Sequence, residues 1–246
     1  MSEIQGSTQL PHPVREFIVD CDGERLSAVR AGDPGAGPTA VLLHGAGTGS
    51  KERLLPLLSA FAERGCHALA FDFSGHGRST GHLSELSLRR RFEQAVAVID
   101  AHAGAGSLLL TGFSMSGQTV ADLVQHYGHR VASVGLCAPG VFAAAAWDEP
   151  FGDGTGAFTG ILRTPHSWRD SPALPALRAF EGRAVLVTPG TDTVIPAEVT
   201  KAVEEALCTR AQFSHIELLD AQHQLGLWFR DHPDNGRELV TELLPG

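Results

Sequence analysis

The chain has 246 residues, with 19 lysines and arginines against 28 aspartates and glutamates, and its formal net charge is −9 at pH 7. Hydrophobic residues make up 43% and charged residues 19% of the sequence, which is enough apolar material for a large core and too little charge for a disordered chain. The acidic balance argues against nucleic acid or an anionic membrane as a global partner, because no basic field would attract either one.

Short apolar runs alternate with helical patterns along the chain. Segments 15–21 and 25–30, separated by Asp22-Gly23, predict an antiparallel hairpin. Near-continuous apolar runs then predict strands that are buried on both faces of a parallel sheet, at 40–44, 67–73, 107–111, 131–137, 184–188 and 215–219. Apolar residues at helical spacing predict amphipathic helices between these runs, within 54–62, 88–99, 118–127 and 197–207.

This order of elements predicts an α/β fold with a mostly parallel, doubly wound sheet and an N-terminal antiparallel hairpin. Residues 140–182 interrupt the order, because they contain prolines and aromatic residues but no strand pattern. A long segment of this kind is typically a lid or a binding element. We predict a single domain over residues 1–246 with a small cap insertion at 140–182, and substrate contacts from Phe142, Trp147 and Trp168. The alternative is that these aromatic side chains only anchor a loop onto the sheet.

Signals for targeting or disulfide formation are few. Residues 1–17 contain no apolar stretch of the kind found in signal peptides. The uncharged residues 131–147 are broken by Pro139-Gly140, which favours a buried strand and a loop over a membrane span. We therefore expect a cytoplasmic protein. Its cysteines form no CxxC pair, and we expect them to be free buried thiols in a reducing compartment, at Cys21, Cys66, Cys137 and Cys208.

The stretch LLLTGFSMSG at 108–117 places a serine, Ser114, between a buried strand and a helix. Such a serine projects its hydroxyl beyond the carboxyl edge of the sheet, where open α/β sheets bind their ligands. The stretch resembles the nucleophile elbow G-x-S-x-G of the α/β-hydrolase superfamily, with Ser116 in place of the second glycine and Gly117 following it. We expect Ser116 to have only a packing role.

A nucleophilic serine needs a base, and the base needs an orienting acid. In the superfamily that the elbow resembles, the chain order is serine, acid, histidine. The resemblance assigns the acid to Asp192, which follows the run at 184–188, and the base to His223, which follows the run at 215–219. Asp220 is the competing acid. We prefer Asp192, because the orienting carboxylate comes from a neighbouring strand end.

Two further motifs resemble the same superfamily. VLLHGAG at 41–47 follows the first central strand, and the resemblance implies an oxyanion hole made by the backbone N–H groups of Ala46 and Met115. We expect His44 to be a structural, hydrogen-bonded residue. FDFSGHGRST at 71–80 is similar to the GHGxS loop of the superfamily. We expect mainly structural hydrogen bonds from four residues of this loop, Asp72, His76, Arg78 and Ser79.

Other classes of function fit the sequence less well. The glycine-rich loop at 45–51 differs from a nucleotide-binding P-loop, because Ser50 precedes Lys51 and Glu52 follows it. No HExxH motif or His/Cys cluster appears, so we predict no metal and no cofactor. The run Arg89-Arg90-Arg91 is most simply a solvated helix face, with an anion site as the alternative.

These motifs predict a serine hydrolase, most simply a carboxylesterase that acts on small to medium apolar esters without a cofactor. Three alternatives remain: a thioesterase, a hydrolase of carbon–carbon bonds with the same triad, and a non-catalytic receptor for a small ligand. We expect a small-molecule ester or thioester as the binding partner, rather than nucleic acid or a membrane. The sequence leaves the oligomeric state open, a homodimer included.

Overall fold

The computed structural model describes residues 13–35 and 37–244. These residues form one eight-stranded sheet in the order β1-β2-β4-β3-β5-β6-β7-β8. Strand β2 pairs antiparallel with β1 and with β4, and the remaining neighbours are parallel. The strands are β1 (Arg15–Cys21), β2 (Glu24–Ala31), β3 (Thr39–Leu43), β4 (His67–Phe71), β5 (Leu108–Phe113), β6 (Val131–Cys137), β7 (Arg183–Thr191) and β8 (Gln212–Gln222). The predicted fold class, with its N-terminal antiparallel hairpin, is confirmed.

Helices cover both faces of this sheet. One face carries α2 (Leu88–His102), α3 (Ser116–Tyr127), α5 (Ala173–Ala179) and α6 (Ala197–Leu207), and the other carries α1 (Leu55–Glu63), α7 (Leu225–Asp231) and α8 (Pro233–Leu243). Side chains of β3 alternate between the two cores: Val41 and Leu43 contribute to the first, Ala40 and Leu42 to the second. Burial on both faces explains why the central strands are almost continuously apolar.

The extents of three strands, β4, β7 and β8, differ most from the sequence prediction. Strand β4 ends at Phe71 rather than at residue 73, and the carboxylate of the next residue, Asp72, accepts hydrogen bonds from the backbone N–H groups of Lys51 and Arg78. Strands β7 and β8 extend beyond their apolar runs and pair as far as Thr191 and Gln222. The backbone hydrogen bonds of this pair continue where the side chains become exposed, and hydrophobicity alone does not reveal such extensions.

Helices α7 and α8 were not predicted. Pro233 begins α8, whose buried residues include Leu239, Val240 and Leu243. These side chains close the core on the α1 face. No helix within residues 13–35 and 37–244 has both the length and the apolar character needed to cross a lipid bilayer.

The chain leaves the sheet after β6 and returns at β7. Residues 140–182 between them form no strand, as expected, and include α4 (Ala157–Arg163), α5 and two 3-10 turns. Helix α5 buries Ala173, Ala176 and Leu177 in the core that it shares with α3. A role of this segment as a cap stays a prediction.

Three of the four cysteines, Cys21, Cys66 and Cys137, are free and buried, in agreement with the sequence prediction. The prediction of burial is wrong for Cys208, which is free and exposed. Cys208 directly follows the last residue of α6, in the turn that leads to β8.

Candidate active site

The backbone of Ser114 adopts a conformation that is uncommon for a residue with a side chain. Its φ is +51°, in the left-handed region, which costs about 1–2 kcal/mol for a non-glycine residue. Three backbone hydrogen bonds hold this turn: Ser114 N–H donates to Cys137 O at 2.9 Å, and Ser114 O accepts from Gly117 N–H at 2.9 Å and from Gly140 N–H at 2.8 Å. The turn between β5 and α3 is therefore fixed by residues at the end of β6.

Two glycines permit the close approach of backbones around this turn. A Cβ atom on Gly112 would lie 2.6 Å from Ser116 O. A Cβ atom on Gly117 would lie 2.6 Å from Pro139 Cβ and 2.9 Å from Gly140 O. On the helix side, the position that requires glycine is therefore 117, and a serine is accommodated at 116.

Ser114, His223 and Asp192 form a chain of contacts. His223 Nε2 lies 2.9 Å from Ser114 Oγ, and His223 Nδ1 lies 2.9 Å from Asp192 Oδ2. The side chains of His223 and Asp192 are 16% and 13% exposed. Asp192 Oδ1 accepts hydrogen bonds from the N–H groups of Val194 at 2.8 Å and Ile195 at 2.9 Å. The carboxylate is thus held by the backbone on one side and contacts the imidazole on the other.

Asp192, rather than Asp220, lies against His223. Asp192 comes directly after β7, and the preceding Gly190 passes so close to β8 that a Cβ atom there would overlap Leu219 O. Asp220 is exposed on β8 and lines a different cavity, together with Trp228. The two strands stay paired here, with a register irregularity between Pro189 and Thr191, and the two acidic residues lie in different places.

The loop after β3 lies directly over the elbow. A Cβ atom on Gly45 would be 3.1 Å from Ser114 Cβ and 3.3 Å from Phe113 O. Ala46 and Ser114 line the same cavity. Within residues 13–35 and 37–244, neither the Ala46 N–H nor the Met115 N–H donates a hydrogen bond to another backbone group. Both amides therefore remain available as donors beside Ser114.

A buried arginine lies behind this loop. We call Arg91, His44, Ser116 and Phe73 the rear cluster. Arg91 is fully buried, and its Nη2 donates to His44 O and to Ser116 Oγ, each at 2.7 Å. Its guanidinium carbon lies 3.7 Å from the centre of the Phe73 ring. Ser116 Oγ also donates to His44 O at 2.7 Å. These contacts connect the elbow, the loop after β3 and helix α2.

The rear cluster corrects two sequence predictions. Arg91 does not belong to a solvated helix face, because it lies one turn from the buried Leu88 and Ala95 on the same side of α2. Arg89 faces the solvent, whereas the Arg90 side chain is only 24% exposed, and both form ion pairs with carboxylates. Ser116 is not only a packing residue, since its hydroxyl both donates and accepts a hydrogen bond.

His44 has the structural role that the sequence predicts. Its Nε2 accepts a hydrogen bond from Phe73 N–H at 3.1 Å, and its Nδ1 lies 2.6 Å from Gly45 O. Because a carbonyl can only accept, the proton of the neutral ring is on Nδ1. Burial, followed by the nearby positive charge of Arg91, lowers the pKa of His44 well below its ordinary value.

Asp72 holds the loop at 71–80 in place through several hydrogen bonds. Its carboxylate accepts from the Lys51 ammonium group at 2.6 Å, from Lys51 N–H at 2.8 Å and from Arg78 N–H at 3.0 Å. Ser79 Oγ donates to Asp72 O at 2.6 Å, and His76 Nδ1 lies 3.0 Å from Ser74 O. The structural roles predicted for this loop agree with these contacts.

The buried ion pair of Lys51 and Asp72 also argues against nucleotide binding. Lys51 is 1% exposed, and its ammonium group points into the protein instead of into the glycine-rich loop. A P-loop lysine must reach the phosphates of its nucleotide. Among the described residues, no three His, Cys, Asp or Glu side chains form a group that could hold a metal ion.

A cavity of about 320 Å³ opens beside Ser114 and His223. Apolar parts of its wall come from Leu54, Phe113, Val194 and Leu225. Its remaining lining residues are mostly polar or glycine, at His44, Gly45, Ala46, Gly47, Thr48, Gly49, Ser50, Arg53, Ser114, His223, Gln224 and Gly226.

The three aromatic residues predicted to bind substrate do not line this cavity. Phe142 packs near Gly140 and the ring of Phe158. Trp147 lines a separate cavity, of about 360 Å³, against Phe92. Trp168 is half-buried at the edge of the core. The position of 140–182 relative to the sheet depends on tertiary packing, which the sequence pattern did not reveal.

Comparison with known proteins agrees with this architecture. A family model of the α/β hydrolase fold matches residues 38–185, which is more than half of the chain. The chain therefore belongs to the α/β hydrolase family. Curated protein sequences contain no significant match.

Solved structures of several hydrolases share the fold. Est1E from Butyrivibrio proteoclasticus, solved with ferulic acid, is 18% identical with a TM-score of 0.69, over 92% of this chain and 98% of that one. The thioesterase domain from the curacin biosynthetic pathway is 15% identical with a TM-score of 0.68, over 93% and 99%. A predicted CIB-like hydrolase from Thermoplasma acidophilum is 16% identical with a TM-score of 0.65, over 92% and 99%. At these low identities, the similarity to these structures shows a shared fold and no more.

Proposed function

We propose that the protein is a serine hydrolase in which Ser114, His223 and Asp192 form the catalytic triad. The observation that carries this proposal is the pair of 2.9 Å contacts that joins Ser114 Oγ to His223 and His223 to Asp192. A hydroxyl is a weak nucleophile at neutral pH, and a base within hydrogen-bonding distance activates it.

In the proposed reaction, Ser114 Oγ attacks the carbonyl carbon of the substrate while His223 Nε2 accepts the hydroxyl proton. The tetrahedral intermediate then expels the alcohol, which takes that proton from His223. Water attacks the resulting acyl-enzyme by the same route and releases the acid. Asp192 keeps the Nδ1–H of His223 oriented and stabilises the imidazolium. The Ala46 and Met115 amides would bind the oxyanion, a contribution that is typically 10²- to 10³-fold in kcat for each donor.

The proposed substrates are small to medium carboxylic esters. The cavity beside Ser114, at about 320 Å³, is near the lower end of the range of roughly 300–1,000 Å³ that is usual for ligand sites. Its apolar wall, which includes Leu54 and Val194, would contact the hydrocarbon part of the acyl or alcohol group. A role for Phe142, Trp147 and Trp168 in chain-length selection stays a prediction.

The test is a panel of p-nitrophenyl esters of rising acyl length, assayed beside S-butyryl-N-acetylcysteamine as a thioester and a short peptide. We expect the wild type to prefer short or medium oxygen esters and a fluorophosphonate to label it at Ser114. The variant Ser114→Ala should lose about 10⁶-fold in kcat and all labelling.

The exposed Ser84→Ala is the matched control and should retain full activity and labelling. Hydrolysis by Ser114→Ala at the wild-type rate would refute the triad. If the fluorophosphonate labels Ser114 but the thioester is hydrolysed faster than the oxygen esters, the protein is a thioesterase rather than an esterase. Absence of both labelling and turnover would favour the non-catalytic receptor.

A further inference from the structure

We propose that the substrate carries a carboxylate, and that Arg53 binds this carboxylate in the cavity beside Ser114. This inference rests on the proposed hydrolase function and specifies its substrate class. It concerns selection of the substrate and adds no step to the chemistry.

The charge of the cavity wall is the first observation. Among the described residues that line the cavity, Arg53 is the only lysine or arginine, and none is an aspartate or a glutamate. The chain as a whole has an excess of nine acidic groups. A single cation in an acid-free cavity therefore contrasts with the rest of the protein and favours an anionic ligand.

The contacts of Arg53 are the second observation. Its Nη2 lies 3.0 Å from Thr48 Oγ1 and its Nη1 lies 3.3 Å from Gln224 Oε1, and both acceptors are neutral. Within the described part of the chain, no carboxylate lies within 4.0 Å of its guanidinium nitrogens. Glu52, its neighbour in sequence, is bound by the ammonium group of Lys51 at 2.8 Å.

The two acceptors place Arg53 between the parts of the proposed catalytic machinery. Thr48 is two residues beyond Ala46 in the loop after β3, and Gln224 directly follows His223. A guanidinium group has five N–H donors, and two neutral contacts leave donors for a ligand. Carboxylates bind arginine through two parallel hydrogen bonds, and Arg53 is half-buried, so that water screens the pair less than at a fully exposed site.

The carboxylate could belong to either half of the ester. In a monoester of a dicarboxylic acid it is on the acyl group, and in an acylated hydroxy acid or phenolic acid it is on the alcohol group. In both cases the charged end would bind Arg53, and the carbon chain would contact the apolar side chains of Leu54 and Leu225.

Two matched pairs of esters distinguish these sources. Monomethyl adipate and methyl hexanoate differ by a carboxylate on the acyl group, and 4-acetoxybenzoate and 4-acetoxybenzamide differ by a carboxylate on the alcohol group. Acid release is measured at fixed pH and low salt. We expect the wild type to have the higher kcat/KM for the anionic member of at least one pair.

The variant Arg53→Gln should lower the ratio of kcat/KM for the anionic over the neutral member of that pair by about 10- to 100-fold, mainly through KM, because it removes a charged hydrogen-bond donor. Arg53→Lys should restore part of the ratio, since it keeps the charge but not the bidentate geometry. The matched control is Arg210→Gln, an exposed arginine paired with Glu181, which should leave the ratio unchanged.

The inference is overturned if the wild type hydrolyses the neutral esters at least as well as their anionic partners, or if Arg53→Gln leaves the ratio unchanged in both pairs. These results would leave the proposed hydrolase function in place. Absence of hydrolysis of all four esters, together with absence of fluorophosphonate labelling at Ser114, would instead overturn the proposed function and this inference with it.

Discussion

Arg91 and Arg53 contact opposite ends of the same loop, at residues 44–50, but in different surroundings. Arg91 binds His44 at the start of the loop and is completely buried. Arg53 binds Thr48 further along the loop, is half-buried and lines the cavity beside Ser114. Neither has a carboxylate partner among the described residues.

The two environments favour different roles for the same side chain. At Arg91 both acceptors of Nη2 are internal, and Nε and Nη1 have no hydrogen-bond partner in the described part of the chain. Burial lowers the pKa of this guanidinium, which reflects the cost of keeping a charge out of water. No ligand can approach it, so its contribution is structural. Arg53 keeps its donors at the surface of a cavity, where a ligand can use them.

This comparison predicts that substitutions at the triad and in the cavity beside Ser114 reduce kcat but not the stability of the fold. After the loss expected for Ser114→Ala, the largest effect is expected for Asp192→Asn, which should lower kcat by about 10⁴-fold because an amide favours the wrong tautomer of His223. The melting temperature should change little, since the asparagine oxygen can still accept from Val194 and Ile195 N–H.

Steady-state kinetics and thermal melts of Asp192→Asn and the control Asp220→Asn test this expectation. Asp220 is exposed and does not contact His223, so its variant should keep nearly full activity. A larger loss of kcat in Asp220→Asn would assign the acid to Asp220.

Substitutions in the rear cluster should do the reverse and act mainly on stability. Ser116→Ala leaves Arg91 with one acceptor fewer, and the free energy of unfolding should fall by about 1–3 kcal/mol, the cost of leaving a buried polar group unsatisfied. We expect a decrease in kcat of about tenfold or less, because the loop that carries Ala46 shifts and its amide loses part of its 10²- to 10³-fold contribution.

Urea denaturation and steady-state kinetics measure both effects of Ser116→Ala. Ser133→Ala is the matched control: its hydroxyl is also buried and donates to Leu243 O at 2.7 Å, but on β6, in contact with the C-terminal end of α8. It should lose similar stability and keep the wild-type kcat. Equal kinetic losses in the two variants would show that the contact of Ser116 with His44 does not act on the catalytic loop.

The smallest effect concerns acidic pH and three buried histidines, of which only His44 belongs to the rear cluster. Burial lowers the pKa of His44, His67 and His76 below the ordinary 6.5. The unfolded chain therefore binds more protons than the native protein below about pH 6.5, and the free energy of unfolding should decrease as the pH falls. Each histidine contributes at most about 1.4 kcal/mol per pH unit.

Denaturant titrations between pH 5 and 7.5 measure this slope. His76→Asn should reduce it, because one neutral buried imidazole is removed, and the exposed His129→Asn should leave it unchanged. A slope that is the same in the wild type and in His76→Asn would mean that folding does not lower the pKa of His76.

The sequence predicted the framework well because two of its signals are local. Continuous apolar runs mark strands that are buried on both faces, and the motifs at 41–47 and 108–117 each contain their own turn. Arg91 was missed although its spacing from Leu88 and Ala95 placed it on the buried side of α2. Its charge indicated solvent exposure, and its acceptors, His44 O and Ser116 Oγ, are distant in the chain.

The order of apolar runs and the strand–serine–helix pattern determined the fold class and the position of the elbow, because each depends on a few consecutive residues. The resemblance of the elbow to the superfamily then implied the candidates Asp192 and His223. Only the tertiary structure decided that Arg91 lies beneath the loop and that Arg53 faces the cavity, and it puts Asp192, the acid preferred from the sequence, against His223. It also decided that Phe142, Trp147 and Trp168 lie outside the cavity lining. These features depend on how strand ends and loops that are far apart in sequence pack against one another, and such packing leaves no periodic signal in a single sequence.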